Sequence, residues 1–276
     1  MSEILPVGQF GRPIIIVAHP RSGSHLTIDL LRKQFQECKS WKYLGETKTR
    51  LYLDFDKLAP KMQESEAKRK LALGLLNRAP RPIIKAHGLQ FWLKRKSADW
   101  VRELVANSDV FYIYRDGRKV LCSLHEFLQS YDPSSHCSLS DFIHQQSSGV
   151  SRPKKWANLV THWLDQANGQ PNVHLFKFED FIHKTDECVD RMGNILNLNP
   201  LRVEPLLPSS ISTLWQSRWM VLTQRQPEST AHITGTKTPK WQEVWSPEDR
   251  RFFHQEAGDL LMQLGYEDSD QWVSAA

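Results

Sequence analysis

Residues 13–35, PIIIVAHPRSGSHLTIDLLRKQF, decide the reading of the fold. A short apolar, mostly β-branched run, Ile14 to Val17, stops at His19-Pro20. A small-residue turn, Arg21-Ser22-Gly23-Ser24, follows, and His25 to Phe35 is amphipathic at helical spacing. The pattern is strand, tight loop, helix. Such a loop aims successive backbone N–H groups and a helix N-terminus at one point, which suits a phosphate. Arg21 and the hydroxyls of Ser22 and Ser24 add donors at the same place. A strand, loop and helix with a single glycine also serves as plain scaffolding, so this stretch alone leaves both readings open.

The loop is not an ordinary nucleoside-triphosphate loop. That motif, G-x-x-x-x-G-K-[ST], sets a Lys on the β/γ-phosphates and a hydroxyl on Mg²⁺. No stretch of the chain matches it, and Ser24 is followed by His25. The loop is suited to a phosphate-like group without an obligatory metal.

Size and composition set bounds. At 276 residues the chain is long enough to bury a substantial core, as one large α/β domain or two small ones. The net charge of +5, from 36 basic and 31 acidic residues, is mild. It permits an anionic ligand but does not argue for a nucleic-acid groove. Cys38, Cys122, Cys137 and Cys188 have no C-x-x-C spacing and read as free thiols of a reducing compartment. The N-terminus lacks the basic start and apolar run of a signal peptide, and no segment has the length of a membrane span. The expected location is cytoplasmic.

Helical and strand-like segments alternate along the chain. Helices are expected at Asp56–Asn77, Ser97–Ala106 with Ser97 as N-cap, Asp116–Ser130, Pro153–Ala167, Glu187–Leu196 and Pro247–Leu264. The last has Ser246 as cap and Pro247 at its first position. Further strands are expected at Pro82–Lys85, Val110–Tyr114 and Val173–Phe178. This alternation implies an α/β fold with a central parallel sheet covered on both faces. Ligands of such folds sit beyond the strand C-terminal ends. Arg21–His25, Lys85–His87 and Arg115–Arg118 are therefore the site candidates. The stretch 203–240, irregular and rich in Pro, is expected to cover a bound ligand, and residues 1–12 to be flexible, within a single domain spanning 1–276.

Two further clusters point to chemistry. Arg115 ends one expected strand, and Ser123 lies eight residues on in the next helix, so the two can converge on one anion. Lys85 and His87 are two residues apart, so in an extended segment their side chains share a face. A Lys and a His together fit a charge stabiliser beside a base.

Taken together, these pieces resemble the sulfotransferases that use 3′-phosphoadenosine 5′-phosphosulfate (PAPS), most nearly the cytosolic-type branch. P-R-S-G-S-H is similar to the family's 5′-phosphosulfate loop. Arg115 and Ser123 have the spacing of its 3′-phosphate pair, and Lys85-Ala86-His87 looks like its K-T-H segment. Trp156 to Trp163 resembles its W-x-x-x-x-x-x-W helix, F-K-F-E-D at 176–180 its Y-E-D stretch, and Gly235 to Trp241 its C-terminal loop. The resemblance runs over roughly the whole chain and implies a P-loop-like sulfotransferase fold. It also implies PAPS as co-substrate without a metal, and a hydroxyl of a small-molecule, lipid or sugar acceptor.

The implied roles fall on particular residues. His87 would be the general base, with Arg21 and Lys85 stabilising charge. Arg21, Ser22, Gly23, Ser24, His25, Leu26, Arg115, Ser123, Phe178 and Lys237 would hold the nucleotide. Departures are evident. Arg21 stands where the cytosolic branch has Lys, and His25 where it has Thr. Leu26 occupies the place of an adenine-stacking Trp, and Phe178 that of a Tyr. The family's C-terminal R-K-G is absent, leaving His232, Lys237 and Lys240 nearby. Its dimerisation segment is not recognisable around Gln242–Arg251. An aromatic wall for the acceptor is expected from Phe91, Trp92, Tyr131, Phe142, Trp215 and Trp219. Trp156 and Trp163 are read as core, and Glu179-Asp180 as a helix N-terminal pair. A P-loop-type small-molecule kinase and a non-catalytic nucleotide-binding module remain the alternatives.

Overall fold

The computed structural model describes residues 4–131, 136–208 and 239–274. These fall into two compact units. The first comprises residues up to Ala18, Gly23–Ile113 and 170–208; the second comprises His19–Ser22, Tyr114–Gly169 and 239 onward.

The first unit is built on a sheet of five strands. Strands β1 (Ile14–Ala18), β2 (Leu53–Asp54), β3 (Ile83–Ala86), β4 (Asp109–Tyr114) and β5 (Val173–Lys177) lie in the order β2-β3-β1-β4-β5. β1 pairs in parallel with β3 and with β4, and β2 in parallel with β3. All five β1 residues are buried, which explains their unbroken apolar run: a strand covered on both faces needs no polar alternation. Packed against it are Ile28, Leu31 and Phe35 of helix α1 (Ser24–Gln34) and its C-terminal end, with Phe111, Phe176, Phe181 and Met192. Each such side chain contributes on the order of 2 kcal/mol by leaving water.

The register sets Val17 beside Ala86 and Ala18 beside Ile113, so β1, β3 and β4 end together at one sheet edge. Helix α2 (Phe55–Glu64) follows β2 directly, capped by the Asp54 carboxylate, which accepts from the Lys57 N–H at 3.3 Å. The single helix expected over 56–77 is two, α2 and α3 (Glu66–Leu76), because Ser65 adopts an extended backbone between them. The helix expected from Ser97 begins at Asp99, with Ala98 at the N-cap, so Ser97 is not its cap. The strand expected to run to Phe178 ends at Lys177, and Phe178 opens a short helix, Phe178–His183, with Glu179 and Asp180 in its first turn.

The second unit is helical, with a two-stranded antiparallel ribbon of Gln146–Ser147 and Val150–Ser151. Its main helices are Gly117–Tyr131, Leu139–His144, Arg152–Gly169 and Pro247–Gln263. Ser246 and Asp249 form the expected capping box, with Pro247 at the helix start. Trp156 and Trp163 are fully buried core residues, and the Trp156 ring lies so near Gly117 that a Cβ there would sit 2.6 Å from it. Among the described residues no helix is long and apolar enough to cross a membrane.

Candidate active site

The loop after β1 is shaped by two backbone positions in the left-handed region, Arg21 at φ 71° and Gly23 at φ 105°. Gly23 suits that conformation for want of a Cβ; one placed there would lie 2.3 Å from the Phe178 ring. The sequence therefore requires glycine twice over at this point, for φ and for space. Gly23 is also the N-cap of α1, and no side chain caps that helix; its first turn holds no acidic residue. The positive end of the α1 dipole thus meets no acidic side chain of its own first turn, and the local field favours an anion.

Ser22 is 1% exposed, and its Oγ has no hydrogen-bond partner among the described residues. A buried hydroxyl without a partner is costly unless something else supplies the bond. The orphaned hydroxyl at this turn suits a phosphate or sulfate oxygen. Ser24 is buried as well, and His25 meets Tyr52 edge to face at 5.8 Å. Leu26 and Phe178 are partly buried and pack against the apolar core of the first unit.

In the second unit the predicted 3′-phosphate pair comes together with Arg21. The Arg21 Nε donates to Ser123 Oγ at 3.1 Å, and its guanidinium lies 4.9 Å from the Phe127 ring centre. Arg115 donates to the Arg21 carbonyl oxygen at 2.9 Å. The adjacent Asp116 is paired with Arg118. Its two oxygens accept from the Arg118 guanidinium at 3.0 and 2.9 Å, and Arg118 in turn is stacked on Trp241 at 4.0 Å. Trp156 Nε1 donates to the Arg115 carbonyl oxygen at 3.2 Å, fixing the strand end from which Arg115 projects.

The second predicted cluster lies wholly in the first unit. His87 follows β3, and its Nδ1 is 2.6 Å from the Ala18 carbonyl oxygen. A carbonyl oxygen only accepts, so Nδ1 carries the proton and Nε2 is the basic nitrogen of the neutral ring. The Asp56 carboxylate accepts from the backbone N–H of His87 at 2.6 Å and of Gly88 at 2.9 Å. Lys85 is buried, with Nζ 3.9 Å from Asp54 Oδ2. Burial, then the Lys85 charge, hold the imidazole below its ordinary pKa, against opposing contributions from the Ala18 hydrogen bond, Asp56 and Asp54. Burial likewise lowers Lys85, with Asp54 and Asp56 opposing. The result is a neutral imidazole with a fixed tautomer beside a cation.

Not every expected residue finds its place. Trp92 is buried against Phe55 and Trp100, and Phe142 is buried under the Arg152 guanidinium, so neither walls an open acceptor pocket. Phe91 is exposed. Lys237, His232, Trp215 and Trp219 lie outside the described residues, as does the Tyr131 side chain. Sequence reasoning missed the roles of Asp54 and Asp56, although an acidic pair in D-F-D at the start of a helix is itself a cap and first-turn signal. The four cysteines are free, and burial raises the Cys38 thiol to about 12 and the Cys122 and Cys188 thiols to about 11, which removes them as nucleophiles. Among the described residues no three His, Cys, Asp or Glu side chains gather as metal ligands.

Comparison with known proteins follows the same line. The sequence matches the family described as Sulfotransferase domain over residues 12–265. The fold is similar to a mouse sulfotransferase complexed with PAP, at 14% identity and TM-score 0.53, over 99% of this chain and 90% of that one. It is similar also to retinol dehydratase in complex with androsterone and inactive cofactor PAP, at 14% identity and TM-score 0.52, over 94% of this chain and 82% of that one. No curated protein matches the sequence. With the family signature spanning nearly the whole chain and the fold in agreement, the chain belongs to the sulfotransferase family.

Proposed function

We propose that this sulfotransferase moves the sulfuryl group of PAPS to a hydroxyl of a small-molecule, lipid or sugar acceptor, with His87 as general base. The observation that carries this reading is the bond from His87 Nδ1–H to the Ala18 carbonyl oxygen, which leaves Nε2 as the basic nitrogen. The similar solved proteins that bind PAP, the desulfated product, support the co-substrate.

The loop residues Ser22, Gly23 and Ser24 would hold the 5′-phosphosulfate end, the Ser22 hydroxyl and the α1 N–H groups serving as donors. Arg115 and Ser123 would hold the 3′-phosphate, and Arg21 would stabilise charge on the leaving phosphate. PAPS supplies the sulfuryl group when bound. His87 Nε2 takes the acceptor's hydroxyl proton as the new O–S bond forms and the bond from sulfur to the phosphate oxygen breaks, and adenosine 3′,5′-bisphosphate leaves. Lys85 steadies charge gathering on the equatorial sulfuryl oxygens and the leaving oxygen, as positioned cations do in phosphoryl transfer. Asp56 holds the His87–Gly88 backbone so that Nε2 keeps its direction.

A thermal-shift comparison of adenosine 3′,5′-bisphosphate with ADP and ATP tests the co-substrate. Greater stabilisation by ATP overturns it. Turnover should survive EDTA, and loss of turnover would point to a metal-dependent kinase. His87→Ala should keep bisphosphate affinity and lose sulfuryl transfer; retained transfer removes His87 as the base.

A further inference from the structure

Helices α2 and α3, with the turn before β2, border a half-open cavity of about 190 Å³ in the first unit. Four cations line it, Arg50, Lys57, Lys61 and Lys68, together with Asp54 and an apolar lining that includes Leu58 and Leu71. Asp54 is already divided between Lys57 at 3.7 Å and Lys85 at 3.9 Å. Among the described residues no carboxylate lies within ion-pair distance of Arg50, Lys61 or Lys68. Cations gathered around one cavity repel one another, and an anion entering it relieves that repulsion. The leucines and the lysine stems give the same cavity an apolar interior.

The cavity and the base share a wall. Asp54 of β2 stands in register with Lys85 of β3, and His87 is two residues further on. One strand spacing and two strand residues put Asp54 of the cavity lining roughly 8 Å from His87 between Cα atoms, and Lys57 and Lys61 follow in the first two turns of α2.

We propose that this cavity binds an oxyanion carried by the acceptor. The substrate class is thus a hydroxyl compound bearing a carboxylate, phosphate or sulfate roughly 8 Å or more from the reacting oxygen, joined through an apolar or sugar-like spacer. This rests on the reading of His87 as the base.

The test uses the full chain saturated with adenosine 3′,5′-bisphosphate. Calorimetric titration compares para-hydroxyphenylbutanoate with its uncharged amide. The acid should bind about tenfold more tightly than the amide. That preference should shrink as salt is raised, and vanish in Lys61→Gln/Lys68→Gln. Both lysines are exposed, and retained bisphosphate binding by the double variant reports an intact fold. Equal affinity of acid and amide, no binding of either at millimolar concentration, or a preference that survives the double substitution overturns the proposal. Sulfuryl transfer by His87→Ala is read separately: its persistence defeats the assignment of the base while leaving the acid preference, and the proposal of an anion site, standing.

Discussion

The His87 imidazole is tied to the last residue of the central strand: Nδ1–H donates to the Ala18 carbonyl oxygen at 2.6 Å. That one bond selects the tautomer and sets the ring direction. Burial and the Lys85 charge lower the pKa of this ring from the ordinary 6.5. The acid limb of kcat/KM should therefore fall below pH 6.5, where a solvated histidine would give its limb near that value. The same shift has a stability consequence. The unfolded chain protonates His87 at a higher pH than the folded one, so it binds more protons in that interval. This contribution is at its full value above pH 6.5 and is lost as pH falls through it toward the folded pKa. A limb above the ordinary value would contradict the burial described here.

Asp56 acts on His87 through the backbone and through charge. Its carboxylate accepts the N–H groups of His87 and Gly88, and its negative charge raises the imidazole pKa. Asp56→Asn keeps one acceptor oxygen and loses the charge. We expect kcat to drop roughly ten- to a hundredfold, about 1.4–2.8 kcal/mol, with adenosine bisphosphate affinity retained. The acid limb should also move to lower pH, because a contribution that held the pKa up is gone. A loss of activity with an unmoved limb would reduce Asp56 to a structural hydrogen bond.

Ser22 gives a prediction with two signs. Its buried Oγ has no partner among the described residues, so Ser22→Ala removes a desolvated hydroxyl at almost constant shape. The nucleotide-free protein should be more stable by about 1 kcal/mol. If the hydroxyl serves the phosphosulfate, adenosine bisphosphate should bind about tenfold more weakly. Denaturant melts and nucleotide titrations on one variant read both. A variant less stable without nucleotide, or unchanged in affinity, would rule out this role.

The strands that carry the site were legible because burial on both faces writes them as short, mainly apolar runs ended by breakers. Ile14–Ala18, Ile83–Ala86 and Asp109–Tyr114 all lie within a residue of expectation. Leu53–Asp54 was not, since two residues carry no period. The break at Ser65 was hidden because charged residues on both sides keep helical spacing through it. His87 was found from its spacing to Lys85, but Asp56 was not. Its bond to the His87 backbone closes 31 residues of chain, and only the pairing of β2 with β3 brings the two together. Phe178, expected at the nucleotide, is partly buried against the core and defines the space over Gly23 of the loop, a contact between residues far apart in sequence.

That contact yields the sharpest steric prediction. At φ 105° and ψ 14°, Gly23 occupies backbone space that L side chains rarely adopt, and a Cβ would fall 2.3 Å from Phe178 Cδ2. The two penalties are separable. Gly23→Ala should destabilise the protein by at least about 2 kcal/mol, the backbone conformation accounting for roughly half and the ring clash for the rest. Phe178→Ala in the same chain should remove the clash while leaving the backbone strain. The double variant should then lose less stability than the sum of the two single variants, measured by thermal or urea unfolding. Strict additivity would mean that the ring does not close on Gly23. Bisphosphate binding should stay impaired in the double variant, since the strained loop would relax away from the φ that aims its N–H groups inward.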